Sequence, residues 1–347
     1  MIDEQGPIEA DPATGQIAHD PRDRQAGLGL GRLIGRRLLA GAVTLFVVSV
    51  LVFLAGHLLP GDQAVAVLGR TATPERLAAM RHQLGLDRSL ASQYLTWLKG
   101  ILHGDFGATL APGQSVATLI GNRLPNSLVL FAAVAVVLVP AGLFLGSLAA
   151  WKPGGLLDRT LSVGSVVAIA IPEFVVAVGL IYVLATSVFQ LFPPVSLTAP
   201  GSTILSDPRL LVLPALTLII TSTPYLMRMI RAMMIEVGRT EYIEMARLKG
   251  VPEQQVLRRH ALPNAIAPAA QVIALTLGYV IGGAVVIESV FAYPGIGLTL
   301  VDAIRGRDVA TMQAIGLLIA AAYVILTVTA DVIAIVVTPR LRTSGSR

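Results

Sequence analysis

Three carboxylates are the residues most able to do chemistry in this sequence, because each interrupts or ends a long apolar run. They are Glu173, Glu288 and Asp331. Placing a charge in the middle of such a run in lipid costs ~2.5–3.5 kcal/mol, so each is expected to face protein or water. Glu173 directly follows Pro172 and could either attract a substrate amino group or bond to a neighbouring helix. For Glu288 and Asp331 we favour a structural role, and a gating role stays open for Glu288.

Other kinds of chemistry find little support in the sequence. It contains no cysteine, which excludes disulfides and thiolate metal sites. Its five histidines are scattered without the spacing of a metal site. It has no Gly-x-x-x-x-Gly-Lys-Ser/Thr phosphate loop, so the sequence offers no recognisable ATP site. We therefore expect no catalytic residue, no bound metal and no cofactor in this chain.

The elements that hold these carboxylates are predicted to be transmembrane helices. Of the 347 residues, 54% are hydrophobic and 14% are charged, whereas soluble chains carry roughly 25% charged residues. A helix needs ~20 apolar residues to cross the ~30 Å core of a bilayer. Suitable runs cover residues 38–59, 127–150, 160–192, 210–227, 265–287 and 309–337. The predicted fold class is an all-α polytopic membrane protein with six transmembrane helices.

The basic residues indicate how the chain is oriented. Of the 26 Lys and Arg, 17 fall on the side of the two termini, and the positive-inside rule makes that side cytoplasmic. The net charge of +5 is then explained without nucleic acid. Residues 1–31 lack an apolar core and are predicted to be a disordered cytoplasmic tail, and residues 343–347 are predicted to be a second cytoplasmic tail. The predicted location is the plasma (inner) membrane.

An external segment, residues 60–121, is long enough to fold by itself. Thr73 can cap a first helix, which Gly85 can end, and a second helix is predicted over residues 89–103. These helices are expected to form a small cap on the spans, a docking surface for an external partner, or both.

A cytoplasmic segment, residues 236–264, is predicted to contain two short helices joined by a sharp turn. Gly250 can take the left-handed conformation that ends a helix. Pro252 suits the first turn of the next helix, and Pro263 is expected to stop it. Such a pair could pass motion between a cytoplasmic partner and the membrane. A plain basic loop is the alternative, but plain connections usually take ~4–6 residues.

This cytoplasmic segment resembles the EAA loop of ABC importer permeases. That pattern reads Glu-Ala-Ala, three residues, Gly, nine residues, Ile, one residue, Leu-Pro. The matching residues are, in order, Glu244-Met245-Ala246, Gly250, His260 and Leu262-Pro263. Met245 stands in place of the middle alanine and His260 in place of the isoleucine. These departures resemble the dipeptide/oligopeptide/nickel branch of the family.

Further stretches resemble the same branch, which makes the match more specific than one short motif. They are residues 60–62, 84–87, 104–107, 213–217, 282–288, 293–297 and 307–308. The resemblance covers about residues 32–342 and implies a type I ABC importer permease fold. In that fold the first helix, the external segment and the permease core would be residues 32–59, 60–121 and 122–342.

The resemblance implies one subunit of a larger importer in the lipid bilayer. A second homologous permease subunit would complete the pore, two cytoplasmic ABC ATPase subunits would bind ATP and Mg²⁺, and an external solute-binding protein would deliver substrate. Residues 236–264 would form the coupling loop seated on an ATPase. The implied coupling residues are Glu241, Glu244, Met245, Ala246, Arg247, Lys249, Gly250, His260, Leu262 and Pro263. The substrate path would include Glu173 and Glu288.

The function implied by the resemblance is import of di- or oligopeptides or related small solutes, by a chain that is not itself an enzyme. Nickel and glutathione stay open, because a binding protein does most of the selecting in this family. An ion-coupled secondary transporter is the alternative from another class, but the inverted repeats and paired broken helices expected of it are not evident. A membrane-embedded enzyme or scaffold is disfavoured because the sequence shows no catalytic cluster.

Overall fold

The computed structural model describes residues 21–58, 65, 73–83, 85, 87–110, 114–198, 203–252, 255–256 and 262–337. Regular structure in these ranges is helical, apart from one isolated antiparallel bridge between Ala108 and Ser115. The all-α fold class predicted from the sequence is confirmed.

The helices follow one another along the chain with short connections. They are α1 (Pro21–Leu58), α2 (Pro74–Gln83), α3 (Leu90–Leu102), α4 (Val116–Trp151), α5 (Leu156–Ala170), α6 (Glu173–Leu180), α7 (Arg209–Gly238), α8 (Glu241–Leu248), α9 (Leu262–Val290), α10 (Ile296–Gly306) and α11 (Val309–Val337). A π-helical turn, Ile181–Thr186, continues α6. Helices α1, α4, α7, α9 and α11 are long and apolar enough to cross a membrane.

The third predicted span is not one continuous helix. Its two parts, α5 and Glu173–Thr186, meet at an angle of 95°. Ile171 and Pro172 lie at the break with extended backbone, at ψ 123° and 143°. Proline lacks an N–H and clashes with the preceding helical turn, so an apolar run that suits one span by hydropathy bends here. The described helices therefore supply five spans, or six if the bent pair counts as one.

Several helix boundaries also differ from the sequence prediction. Helix α1 begins at Pro21, so it takes in residues 21–31 of the segment predicted to be a disordered tail; residues 1–20 and 338–347 lie outside the described ranges. Helix α7 continues to Gly238, so Arg228 and Arg231 lie in a helix and not in a loop. Helix α10 was not predicted at all.

Close packing of α4 against α7 forms the centre of the fold. Gly142 contacts Leu226, and Gly146 lies so near α7 that a Cβ there would sit 2.7 Å from Ile230 Cβ and 2.8 Å from the Met227 carbonyl oxygen. Small residues four positions apart allow two helix backbones to approach in lipid. These two glycines therefore fix α7, the helix that leads to the predicted coupling segment.

The segment predicted to be external packs on the C-terminal end of α1. Phe53 on α1 lies between the rings of Tyr94 and Trp97 on α3, with centroids 5.4 and 5.7 Å away. The hydroxyls of Ser49 and Tyr94 share a hydrogen bond of 2.8 Å. A helical cap on the spans is thus present, and its use as a docking surface stays a prediction.

The predicted ends of the first external helix are confirmed. The Arg76 N–H donates to Thr73 Oγ1 at 3.4 Å where α2 begins. Gly85, just past its end, has φ +68°, a conformation that glycine reaches without steric cost. The chain thereby turns from α2 toward α3.

Candidate functional site

The predicted coupling segment contains a short two-faced helix, α8. Thr240 Oγ1 donates to the Val237 carbonyl oxygen at 2.6 Å, so α8 follows α7 after a tight turn. Ile243 is fully buried in the core, whereas Met245 is 56% and Leu248 82% exposed. Large exposed apolar side chains on an otherwise anchored helix indicate a surface that a partner covers.

Gly250 ends this helix as predicted, with φ +75°. No atom lies within 4 Å of the position that a Cβ would take there, so the need for glycine comes from backbone conformation and not from crowding. The next turn starts at Pro252, whose carbonyl oxygen accepts from the Gln255 and Val256 N–H groups at 2.8 and 3.0 Å. Val256 is buried and anchors the far side of the turn.

The structure brings half of the predicted coupling residues onto one exposed surface. They are Glu241, Glu244, Met245, Lys249 and Gly250; we call these residues, with Leu248, the α8 surface. Ala246 and Arg247 belong to α8, and Leu262 and Pro263 begin α9, but their side chains lie outside the described residues, as does all of His260. Pro263, expected to stop a helix, lies in the first turn of α9, where proline is well tolerated.

An exposed stripe with polar members runs along α9. Its positions recur every three or four residues, at Gln271, Leu275, Tyr279, Gly282 and Val286. On α1, by contrast, the exposed large hydrophobic side chains form an almost continuous Leu, Val and Phe surface, as expected against lipid. Glutamine, tyrosine and glycine in a transmembrane helix more often face protein or water. The α9 stripe is therefore a candidate for the substrate path.

Glu173 lies beside this stripe, at the first position of α6. A Cβ on Gly283 of α9 would lie only 2.5 and 2.9 Å from the two carboxylate oxygens of Glu173. The Tyr279 hydroxyl faces the same carboxylate. Gly283 is seven residues before the end of α9 at Val290, which corresponds to ~10 Å of helix. The break at Pro172 thus brings a carboxylate against a transmembrane helix about two turns before the C-terminal end of that helix.

Glu288 has a different environment, because its carboxylate is fully buried and hydrogen-bonded. One carboxylate oxygen accepts from Ser127 Oγ at 2.6 Å, and the other accepts from the N–H groups of Gly297 and Leu298 at 2.7 and 3.2 Å. Those N–H groups belong to the first turn of α10, where a negative charge stabilises a helix. This geometry favours the structural role for Glu288, and its place in the substrate path stays a prediction.

The same network joins α4 to the connection before α10. Asn126 Nδ2 donates to the Pro294 carbonyl oxygen at 2.8 Å, and the Tyr293 hydroxyl donates to the Asn126 carbonyl oxygen at 2.7 Å. Burial raises the pKa of Tyr293, and the Glu288 carboxylate raises that pKa further, so its hydroxyl stays protonated as a donor. Sequence reasoning missed these polar partners, because Asn126 and Ser127 stand at the start of an apolar run and look like boundary residues.

A buried ion pair between Asp158 and Arg231 was also missed. Arg231 on α7 makes two hydrogen bonds to the Asp158 carboxylate, the one from Nη2 measuring 2.7 Å. Asp158, only 3% exposed in the first turn of α5, also accepts from the Gly154 N–H and from Ser162 Oγ. From the sequence, Arg231 is simply one of the 17 basic residues assigned to the cytoplasmic side. Nothing in the local sequence pairs it with a residue 73 positions earlier.

Asp331 also forms an ion pair. Its carboxylate lies 2.9 Å from Arg37 Nη1, which joins α11 to α1. Gln271 Nε2 on α9 donates to the same carboxylate at 3.4 Å. The structural role favoured for Asp331 agrees with these contacts.

Comparison with protein families gives two matches that together cover most of the chain. Residues 142–343 match the family described as binding-protein-dependent transport system inner membrane component. Residues 30–134 match the N-terminal region of binding-protein-dependent transport system membrane components. The first match spans the bent pair, the coupling segment and the last three helices of the fold.

Curated relatives and a solved structure agree with this match. The chain is 35% identical over 313 residues to "Probable peptide ABC transporter permease protein y4tP" of Sinorhizobium fredii, covering 90% of this chain and 100% of the relative. It is 33% identical over 308 residues to the glutathione transport system permease protein GsiC of Shigella flexneri, covering 88% and 97%. The inward-facing MetNI methionine ABC transporter has a chain of similar fold, with a TM-score of 0.53 and 20% identity over 63% of this chain and 96% of that one.

Proposed function

This chain belongs to the family of binding-protein-dependent transport system inner membrane components, and from that membership we propose that it forms half of the pore of an ATP-driven importer of peptides or related small solutes. It is a multi-pass inner membrane permease. The substrate class rests on its similarity over nearly its whole length to a relative named as a peptide permease.

The proposed complex contains a second homologous permease subunit, two cytoplasmic ABC ATPase subunits and an external solute-binding protein. ATP and Mg²⁺ would bind to the ATPase subunits, and this chain would bind no cofactor and hydrolyse nothing. The observation that carries this proposal is the α8 surface, which exposes Met245 and Leu248 while Ile243 anchors the helix in the core. The outer cap formed by α2 and α3 would meet the binding protein.

The contacts of α8 suggest how motion would reach the membrane. Closure of the ATPase dimer would displace α8, and the hydrogen bond between Thr240 and Val237 ties α8 to the end of α7. Helix α7 in turn packs against α4 through Gly142 and Gly146. Packed interfaces of this kind switch between discrete arrangements, which is what alternating access requires.

Glutathione is a second candidate substrate, because the glutathione permease relative also matches along most of the chain. Glutathione is itself a tripeptide-like molecule, so both candidates belong to one chemical class. An ion-coupled secondary transporter is excluded by the family membership of the chain. Nickel stays an alternative within the family.

Reconstitution tests the proposed function directly. We expect proteoliposomes that contain both permeases and both ATPases to accumulate peptides from a tripeptide mixture. Accumulation should require ATP in the vesicle lumen, where the ATPase subunits lie, and the binding protein in the external buffer. Glutathione and nickel would be supplied in parallel. Uptake that needs neither ATP nor the binding protein would contradict the proposal. Accumulation of nickel without any peptide would show that the substrate is nickel and not a peptide.

Cysteine labelling tests the orientation proposed from the basic residues. Because the native chain has no cysteine, Glu236→Cys near the end of α7 and Ser206→Cys, three residues before α7 begins, can each be labelled alone, and both positions are exposed. In intact cells an impermeant external maleimide should label Cys at 206 and leave Cys at 236 unlabelled until the cells are permeabilised. The reverse pattern would invert the topology and place the α8 surface outside.

A further inference from the structure

We infer that Glu173 binds a primary ammonium group of the transported peptide inside the membrane, held in position by Gly283 and Tyr279. This inference rests on the proposed function and names the chemical group that the path recognises. It follows from the position of the carboxylate, from its accessibility and from the charges around it.

The close approach of Glu173 to α9 depends on one glycine. The two carboxylate oxygens lie 2.5 and 2.9 Å from the point where a Gly283 Cβ would be, whereas no atom lies within 4 Å of the same point on Gly282. The two adjacent glycines therefore have different roles, and only Gly283 makes room for the carboxylate. Glu173 is partly accessible, so a ligand can reach it from the α9 stripe.

Glu173 lacks an internal counter-ion among the described residues. The ion pairs found there join Arg37 to Asp331 and Arg231 to Asp158. An ionised carboxylate only accepts hydrogen bonds, and its charge at this depth in a transmembrane bundle needs a cation or water. Glu173 thus differs from Asp158 and Asp331, which each have an arginine, because its described neighbours are the neutral Tyr279 and Gly283.

The surroundings of Glu173 suit an ammonium group in particular. Tyr279, which is 56% exposed, places its hydroxyl beside the carboxylate and its ring on the accessible stripe. A cation can gain from the carboxylate charge and from the face of an aromatic ring together. A peptide offers such a cation at its N-terminus and on lysine side chains.

The test compares three variants in the reconstituted complex, each at equal occupancy of the binding protein. Glu173→Gln removes the charge. Gly283→Ala keeps the charge but displaces the flexible carboxylate, and Gly282→Ala is the matched control in open space. The probes are trialanine, N-acetyl-trialanine and N-acetyl-Ala-Lys-Ala, which carry a terminal amine, no amine and a side-chain amine.

Glu173→Gln and Gly283→Ala should each lower trialanine uptake by about 10-fold, because each weakens a charge-assisted contact with the ammonium group. Gly282→Ala, whose added Cβ meets no atom within 4 Å, should lower trialanine uptake far less than Gly283→Ala does. The uptake ratio of trialanine to N-acetyl-trialanine should fall toward one in the two affected variants, which a purely structural defect would not cause. Uptake of N-acetyl-Ala-Lys-Ala then shows whether a side-chain amine can replace the terminal one.

Two results would overturn the inference and leave the proposed function intact. One is wild-type trialanine uptake by Glu173→Gln. The other is loss of the second permease from purified Glu173→Gln complexes, which would make the carboxylate a contact between subunits. Failure of the wild-type complex to import any peptide would instead refute the proposed function itself.

Discussion

Replacing Gly250 with valine is expected to abolish most transport while leaving the protein in the membrane. At φ +75° any L side chain is strained by about 1–2 kcal/mol, and a β-branched one by more. Docking of the α8 surface on an ATPase requires this backbone turn, so the strain should weaken docking by roughly 10-fold or more. ATPase co-purification, substrate-stimulated hydrolysis and uptake should all fall together.

The chain offers a matched control for the same substitution. Gly104, at the end of α3, also has positive φ, at +80°, and open space around its Cβ position. Gly104→Val introduces comparable backbone strain outside the coupling segment, so ATPase co-purification should stay at the wild-type level. Gly250→Asn should recover much of the lost docking, because asparagine tolerates the left-handed region. Wild-type docking by Gly250→Val would mean that the α8 surface is not the coupling element.

Features that depend on local sequence were predictable in this protein. Hydropathy placed the last span at residues 309–337, the range that α11 occupies. The left-handed turn at Gly250 and the caps at Thr73 and Gly85 followed from residue type and position alone. These are choices of backbone conformation that a few neighbouring residues decide, so they need no knowledge of tertiary contacts.

Features that depend on contacts between distant residues could not be predicted in the same way. The hydropathy pattern identifies the apolar run at 160–192 but does not predict the 95° bend at Pro172. A proline in a membrane helix is compatible with a kink, a break or neither, so its presence alone does not decide the geometry. The glycines at 142 and 146 fit a small-xxx-small pattern, yet the pattern does not say which helix they meet. The buried position of Glu288 likewise depends on α10, whose formation the sequence analysis did not predict.

Removing the Asp158 carboxylate is expected to have the second large effect, on stability and on coupling together. Asp158→Ala leaves Arg231 without its bidentate partner and the Gly154 N–H without an acceptor. Breaking a buried pair from one side costs ~3–5 kcal/mol, and the lower end of that range applies because the Arg231 side chain is 28% exposed. The thermal unfolding midpoint of the detergent-solubilised complex should therefore fall clearly. Asp331→Ala is the control, because the Arg37 side chain is 54% exposed and surface pairs contribute only ~0–1 kcal/mol.

A double-mutant cycle separates the ion pair from other effects of truncating Asp158. Arg231→Met removes the orphaned charge, so the double variant with Asp158→Ala should lose less stability than the two single variants together, and the difference, the coupling energy, should be ~1–3 kcal/mol. The pair connects α5, the first half of the bent span, to α7 at a point seven residues before α7 ends at Gly238 and the chain turns into α8. If it transmits motion, the double variant should recover stability but not the coupling of ATP hydrolysis to uptake, because an apolar contact lacks the directional hydrogen bonds that fix α5 on α7. Recovery of both properties would reduce the pair to a stabilising contact. A double variant whose loss of stability equals the sum of the losses in the two single variants would show that the two charges do not interact.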